Sequence, residues 1–409
     1  MKYSIVALLL SFWLSGCVET TIARANLKPK GAPAQPAMQI GLPNYAELMQ
    51  ANVYGVLPTR SQTKVLSKTV LNPVALNGKA RLEEWNIAIS AGFGDDESSN
   101  SSEFNLVVVL PNGATGPVPV IMMQTFCPSH VVIPLAGVSV LPGGFRGCDG
   151  DGFTSKAVRY VFGRYIASPP IEEILANGFA IATQYPGQAF PDGASAGLAA
   201  LRKMSTGHED DDTRWGAIAA WGWMFSRAVD ALEADGRFDP NAMIAYGHSR
   251  YGKSALVAAA FDQRIDGVIS HQSGTGGASL SRGNLGETVA KITTSYPHWF
   301  SRKFASYAER TGDLPVDQHY LLALMAPRPV LLGNARRDVW SDPNGAFRAA
   351  QAASPAWVEL GQIGLGQDRL VPFVPNANLS FWIRPGTHGV TEEDWPAFLE
   401  FLNAHFPED

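Results

Sequence analysis

The stretch Ala242-Met243-Ile244-Ala245-Tyr246-Gly247-His248-Ser249-Arg250-Tyr251-Gly252-Lys253 carries an apolar strand, a tight turn and the start of a helix, which continues through the Ala-rich run Ser254 to Ala260. A serine at such a turn is held in a strained backbone, with its Oγ projecting beyond the sheet edge. Gly247 lets the turn pack closely, and the N–H of Arg250 falls at a helix N-terminus, where a developing oxyanion is stabilised. The usual pattern is G-x-S-x-G. Here the second glycine arrives one residue late, at Gly252, with Tyr251 in its place. A bland Gly-Ser turn at a strand–helix junction has the same local appearance, so the assignment needs partners from elsewhere in the chain.

Outward from this turn, strand and helix signals alternate from about residue 80. Phe104–Leu110, Val118–Met123, Phe179–Thr183, Gly267–Ser270, Val330–Leu332 and Leu379–Ile383 are short apolar strands. Ile171–Ala176, Trp215–Ala234, Lys253–Phe261, Pro343–Ala353 and Glu392–Ala404 have helical spacing. Near-continuous apolar strands alternating with helices predict an α/β fold, a mostly parallel central sheet sandwiched by helices in three layers. A serine elbow in that setting makes it an α/β-hydrolase, whose catalytic residues follow the chain order Ser, acid, His.

A serine hydroxyl needs a base. His388 lies in the Gly-flanked loop Gly386-Thr387-His388-Gly389, after the last strand and before the last helix, and no other of the eight histidines occupies that place. The acid should follow the preceding strand, and Asp338 stands in the loop Ala335 to Asp338. A carboxylate there fixes the imidazole tautomer and stabilises the imidazolium. Asp342 is the rival, although Asp342-Pro343 reads better as a helix cap and first helical residue.

With these residues in place the chain resembles the glucuronoyl esterases, carbohydrate esterase family 15, in its bacterial branch. Gly247-His248-Ser249-Arg250-Tyr251-Gly252-Lys253 matches the family's G-[CH]-S-R-x-G-K signature, late glycine included. Trp215 to Trp221, Ser273 to Gly277 with Leu280-Ser281-Arg282, Tyr296 to Phe300, Asp317 to His319, Ala326 to Pro329 and Asp338 to Pro343 are similar to further family segments. The resemblance covers the chain from about residue 80 onward. It implies Ser249 as nucleophile, His388 as base, Asp338 as acid and Arg250 at the oxyanion. It also implies Lys253, Glu287 and Trp340 as contacts to a glucuronate, cleaved from an alcohol on glucuronoxylan or at a lignin–carbohydrate linkage. Many members take the acid from a Glu just before the Ser-Gly segment, where this chain has Gln272. The alternatives are an acetyl xylan or other carboxyl esterase, and a non-catalytic carbohydrate-binding lipoprotein of the same fold.

Hydrophobic residues make up 46% of the 409 and charged residues 17%, enough to build a large core. The net charge of −5 and the lack of a Lys/Arg run exclude a nucleic-acid partner. No His/Cys/Asp group has metal-ligand spacing, and no cofactor is expected. Met1-Lys2, the apolar run Ile5 to Leu14 and Leu14-Ser15-Gly16-Cys17 resemble a lipoprotein signal in residues 1–17 that ends at a lipidated Cys17. Val18 after the cysteine then implies the outer membrane, with periplasmic or extracellular release as the other outcome. Residues 18–45 are a Pro-rich tether and 46–409 a single catalytic domain, expected to be monomeric and to touch membrane only through the lipid. Export permits a disulfide between Cys127 and Cys148, and spacing alone leaves two free thiols equally open.

Overall fold

The computed structural model describes residues 44–93, 100–144, 148 and 152–407. The expected signal, Cys17 and nearly all of the tether lie outside the described residues. Tyr45, assigned to the tether, already begins a short helix and stacks on Tyr320, with ring centroids 4.2 Å apart.

Among the described residues nine strands form one sheet in the order β1-β2-β3-β5-β4-β6-β7-β8-β9. These are β1 (Arg60–Ala75), β2 (Ala80–Gly92), β3 (Asn100–Pro111), β4 (Val118–Gln124), β5 (Ala180–Gln184), β6 (Phe238–His248), β7 (Gly267–His271), β8 (Val330–Ala335) and β9 (Leu379–Arg384). β5, β4 and β6 to β9 run parallel, while β1, β2 and β3 pair antiparallel at one side. The parallel strands are buried on both faces because alternate side chains enter two cores. On β4, Val120 and Met122 join the helices Ala217–Glu233 and Arg250–Phe261, whereas Ile121 and Met123 join the helices Ile171–Ala176 and Asp394–His405. β6 and β8 repeat the pattern, and this gives the three layers expected.

β1 and β2 are additions to the expected strands. β1 opens with the polar run Arg60 to Lys64, and Leu66, Val70 and Val74 are exposed, so it lacks the apolar run that marks the parallel strands. Lys64 and Lys68 suit an edge strand that must not recruit another chain. The helices Phe153–Phe162 and Ala194–Met204 were also not expected. The expected Trp215–Ala234 helix begins at Ala217, and the expected Lys253–Phe261 helix begins earlier, at Arg250. Cys127 and Cys148 are bridged. Among the described residues no helix is long and apolar enough to cross a membrane.

One buried ion pair fixes the loop beyond β9. Arg384 Nε donates to both carboxylate oxygens of Asp394 at 2.9 and 2.8 Å, and its Nη atoms donate to the carbonyls of Pro385, Thr387 and Gly389. Asp394 also accepts the Thr391 N–H at 2.7 Å. Arg384 therefore holds both ends of the loop that carries His388. Both partners are essentially inaccessible to solvent, so loss of one leaves a buried charge. Arg384→Met is expected to lower stability by about 3–5 kcal/mol, measured as the urea unfolding midpoint.

Candidate active site

Ser249 has φ 57° and ψ −122°, outside the regions that residues with a Cβ prefer, and it caps the Arg250–Phe261 helix. The turn is pinned by the Ser249 N–H donating to the His271 carbonyl on β7 at 2.8 Å and by the Lys253 N–H donating to the Ser249 carbonyl at 3.1 Å. A Cβ on residue 247 would lie 2.0 Å from the Tyr251 carbonyl oxygen, and one on residue 252 would lie 3.0 Å from the carbonyl oxygens of Gly247 and His271. The late glycine is therefore required by close approach of strand, turn and helix.

Asp338 sits in the loop after β8 and His388 in the loop after β9. Asp338 Oδ2 accepts from His388 Nδ1 at 2.7 Å, and the Ser341 N–H donates to Oδ1 at 3.2 Å. Burial opposes ionisation of Asp338. The facing His388 ring and the bonds from His388 and Ser341 more than offset it, so the carboxyl stays below the usual aspartate value. That bond directs the other ring nitrogen, Nε2, away from the carboxylate. Ser249 and His388 border the same cavity. They form no direct hydrogen bond here, and such pairs commonly tighten only when substrate arrives. Asp342 instead caps the Pro343–Ala353 helix, accepting from the N–H groups of Gly345 and Leu285.

The cavity, about 140 Å³, is lined by Ser249, Arg250, His248 and His388 together with Phe126, Val158, Phe162 and Ile166. His248 is buried with its ring 4.6 Å from that of His388, and burial first, then the neighbouring histidines, hold it well below the usual histidine value. It is therefore a cavity wall beside His388 that favours its neutral form.

Lys253, Glu287 and Trp340 do not line this cavity. They form a second group, joined to it through Trp299, whose ring lies 4.9 Å from the Arg250 guanidinium and 6.0 Å from Lys253 Nζ. Lys253 Nζ donates to the Ser273 and Thr275 carbonyls. Burial lowers its ammonium to about 8, with Glu287 acting in the opposite sense. Glu287 is buried in a loop rather than exposed on a helix. Burial raises its carboxyl, and its Oε1 has no partner among the described residues. Its N–H donates to the Trp340 carbonyl at 3.0 Å. Trp340 is 47% exposed, so it is a surface ring and not part of the core. Two fixed charges and an exposed ring suit a polar sugar with one flat face.

Gln272, at the position of the alternative acid, is buried and has φ 50°. Its Oε1 accepts the Gly389 N–H at 2.7 Å, so it anchors the loop of His388. Asp192, Arg384 and Asp394 also organise the site, although no spacing signal in the sequence points to them. Among the described residues no group of His, Cys, Asp and Glu is arranged to hold a metal.

The model of the family "Glucuronyl esterase, fungi" matches residues 209–361. The chain is 36% identical to carbohydrate esterase MZ0003 of an unknown prokaryotic organism, over 88% of this chain and 83% of that protein. It is 38% identical to the 4-O-methyl-glucuronoyl methylesterase of Hypocrea jecorina, over 36% of this chain and 34% of that protein. Its fold is similar to that of a promiscuous CE15 esterase from a marine bacterial metagenome, with a TM-score of 0.76 and 32% identity over 93% of this chain and 98% of that one.

Asp338→Asn is expected to lower kcat about 10⁴-fold by removing the acceptor that sets the imidazole tautomer. Gln272→Ala, which costs one backbone hydrogen bond, should lower it at most about tenfold. Steady-state kinetics of the two variants on one ester checks this, and equal losses would reject Asp338 as the acid.

Proposed function

This chain belongs to the glucuronoyl esterases, carbohydrate esterase family 15, and from that premise we propose that it hydrolyses esters of 4-O-methyl-glucuronic acid on glucuronoxylan through a Ser249–His388–Asp338 acyl-enzyme mechanism. The observation that carries this is the 2.7 Å bond between Asp338 and His388, set beside a serine on a strained turn. His388 Nε2 takes the Ser249 proton as Oγ attacks the ester carbonyl. The Arg250 backbone N–H and guanidinium face the oxyanion. Collapse of the tetrahedral intermediate expels the alcohol, which leaves with the proton from His388, and the uronoyl group stays on Oγ. Water, activated by the same imidazole, then releases the uronic acid and restores the serine.

Lys253 and Glu287 supply a donor and an acceptor to the sugar hydroxyls, and Trp340 offers its exposed ring to the sugar face. The support is their burial in fixed geometry, Lys253 with two carbonyl partners, and the family of the relatives. Hydrolysis of benzyl glucuronate should be abolished in Ser249→Ala and should exceed release of acetate from acetylated xylan. Clear deacetylation without uronate release would replace this function with that of an acetyl esterase.

We also propose that Cys17 carries a lipid that holds the enzyme at the outer membrane. The support is the short apolar run that ends at Gly16-Cys17 and the Pro-rich segment after it. On expression in a Gram-negative host, Cys17→Ser should move the protein from the membrane to the soluble fraction. Unchanged membrane association would exclude the lipid anchor.

A further inference from the structure

We infer that Asp192 is a positioning residue for Arg250, holding the guanidinium beside the nucleophile with the help of His298 and Trp299. The inference rests on the proposed Ser249 chemistry, but not on the identity of the ester. Asp192 lies in the turn between β5 and the Ala194–Met204 helix, far from the elbow in sequence. Its Oδ2 accepts from Arg250 Nη1. Its Oδ1 accepts from His298 Nε2 at 3.0 Å and from Trp299 Nε1 at 2.8 Å. Burial opposes its charge, yet the His298 bond, the Arg250 charge and the Trp299 bond lower its carboxyl to about 2. The anionic form is therefore the one these three partners favour.

The two other donors are rigid. The backbone carbonyls of His298 and Trp299 accept the N–H groups of Ala217 and Ile218, which fastens this segment to the start of the Ala217–Glu233 helix. Trp299 stacks on Tyr296 with centroids 3.7 Å apart. Gly197 makes room for His298, since a Cβ there would lie 2.8 Å from the imidazole Cδ2.

Arginine has five N–H donors and a long, mobile side chain. Among the described residues the bond to Asp192 is the only hydrogen bond its guanidinium makes. An oxyanion donor works by being in place before charge develops. Asp192 supplies that fixation at one end and leaves the remaining donors free. Because the carboxylate is shared among three donors, less of its negative charge opposes the oxyanion.

Asp192→Asn keeps the shape but removes the charge-assisted hold. Steady-state kinetics on benzyl glucuronate should show kcat lowered about ten- to thirtyfold, short of the loss on deleting an oxyanion donor outright, with KM within about twofold of wild type and Asp192→Glu recovering part of kcat. In an Arg250→Ala background Asp192→Asn should change kcat by less than about twofold, because residues acting through one group are non-additive. The rate of Ser249 labelling by a fluorophosphonate should fall in parallel with kcat. Should Asp192→Asn fold poorly by its melting temperature, His298→Ala tests the same hold from the other side, with a smaller kcat loss that again vanishes in Arg250→Ala. Additive losses, or a rise in KM at constant kcat, would overturn the inference. A wild-type enzyme that is labelled at Ser249 but inert to the glucuronate would instead contradict the proposed substrate, and the labelling rates would still test Asp192.

Discussion

The site depends on a single backbone conformation, that of Ser249. A residue with a side chain at φ 57° and ψ −122° carries strain on the order of 1–3 kcal/mol, and it persists only where the surroundings leave no alternative. Here β6 and β7 are paired up to His248 and His271, and the next N–H bonds back to His271. Gly247 and Gly252 allow the Arg250–Phe261 helix to start at once, without a longer loop that would relax the turn. The same turn puts Ser249 just beyond the end of β6 and the Arg250 N–H at the helix start. The proposed nucleophile and oxyanion donor are thus set by one turn, and the other elements bring partners to it.

Those partners are charges kept out of water. Asp338, Asp394, Arg384, Lys253 and Glu287 are all buried, which is costly unless each charge is paired or hydrogen-bonded. Asp394 and Arg384 satisfy each other and tie down the loop of His388. Asp338 is satisfied by His388 and Ser341. Lys253 is satisfied by the Ser273 and Thr275 carbonyls, whereas Glu287 Oε1 has no partner among the described residues. An unpaired buried acceptor of this kind has room for a polar donor, as the proposed sugar contact would supply. The division of the site follows from this. An apolar cavity with Phe126, Val158 and Phe162 meets Ser249 from one side, and the fixed charges of Lys253 and Glu287 stand apart from it.

The sequence made the sheet's parallel half and the chain order of the three reacting residues legible, because buried parallel strands are apolar runs and the elbow, the acid and the base each follow one of them. Ser249, Asp338 and His388 were proposed through that rule, and the fold brings Asp338 and His388 into a 2.7 Å hydrogen bond and sets Ser249 and His388 on one cavity. β1 and β2 were not, since an exposed edge strand carries little apolar signal and Arg81, Glu83, Glu84 and Asn86 interrupt the apolar residues of β2. Asp192 and Arg384 were not legible either. An aspartate in Pro191-Asp192-Gly193 looks like any turn residue, and only the folded chain places it against Arg250. Glu287 and Trp340 entered through family resemblance alone, and the structure gave them a physical setting, one buried in a loop and the other exposed.

The covalent step can be observed directly. Rapid quenching of the enzyme with a glucuronate ester, followed by mass spectrometry of the peptide that contains residue 249, should show the added mass of the uronoyl group on Ser249 during turnover. Full turnover with that peptide unmodified at every quench time, or with the acyl group on another residue, would contradict the mechanism.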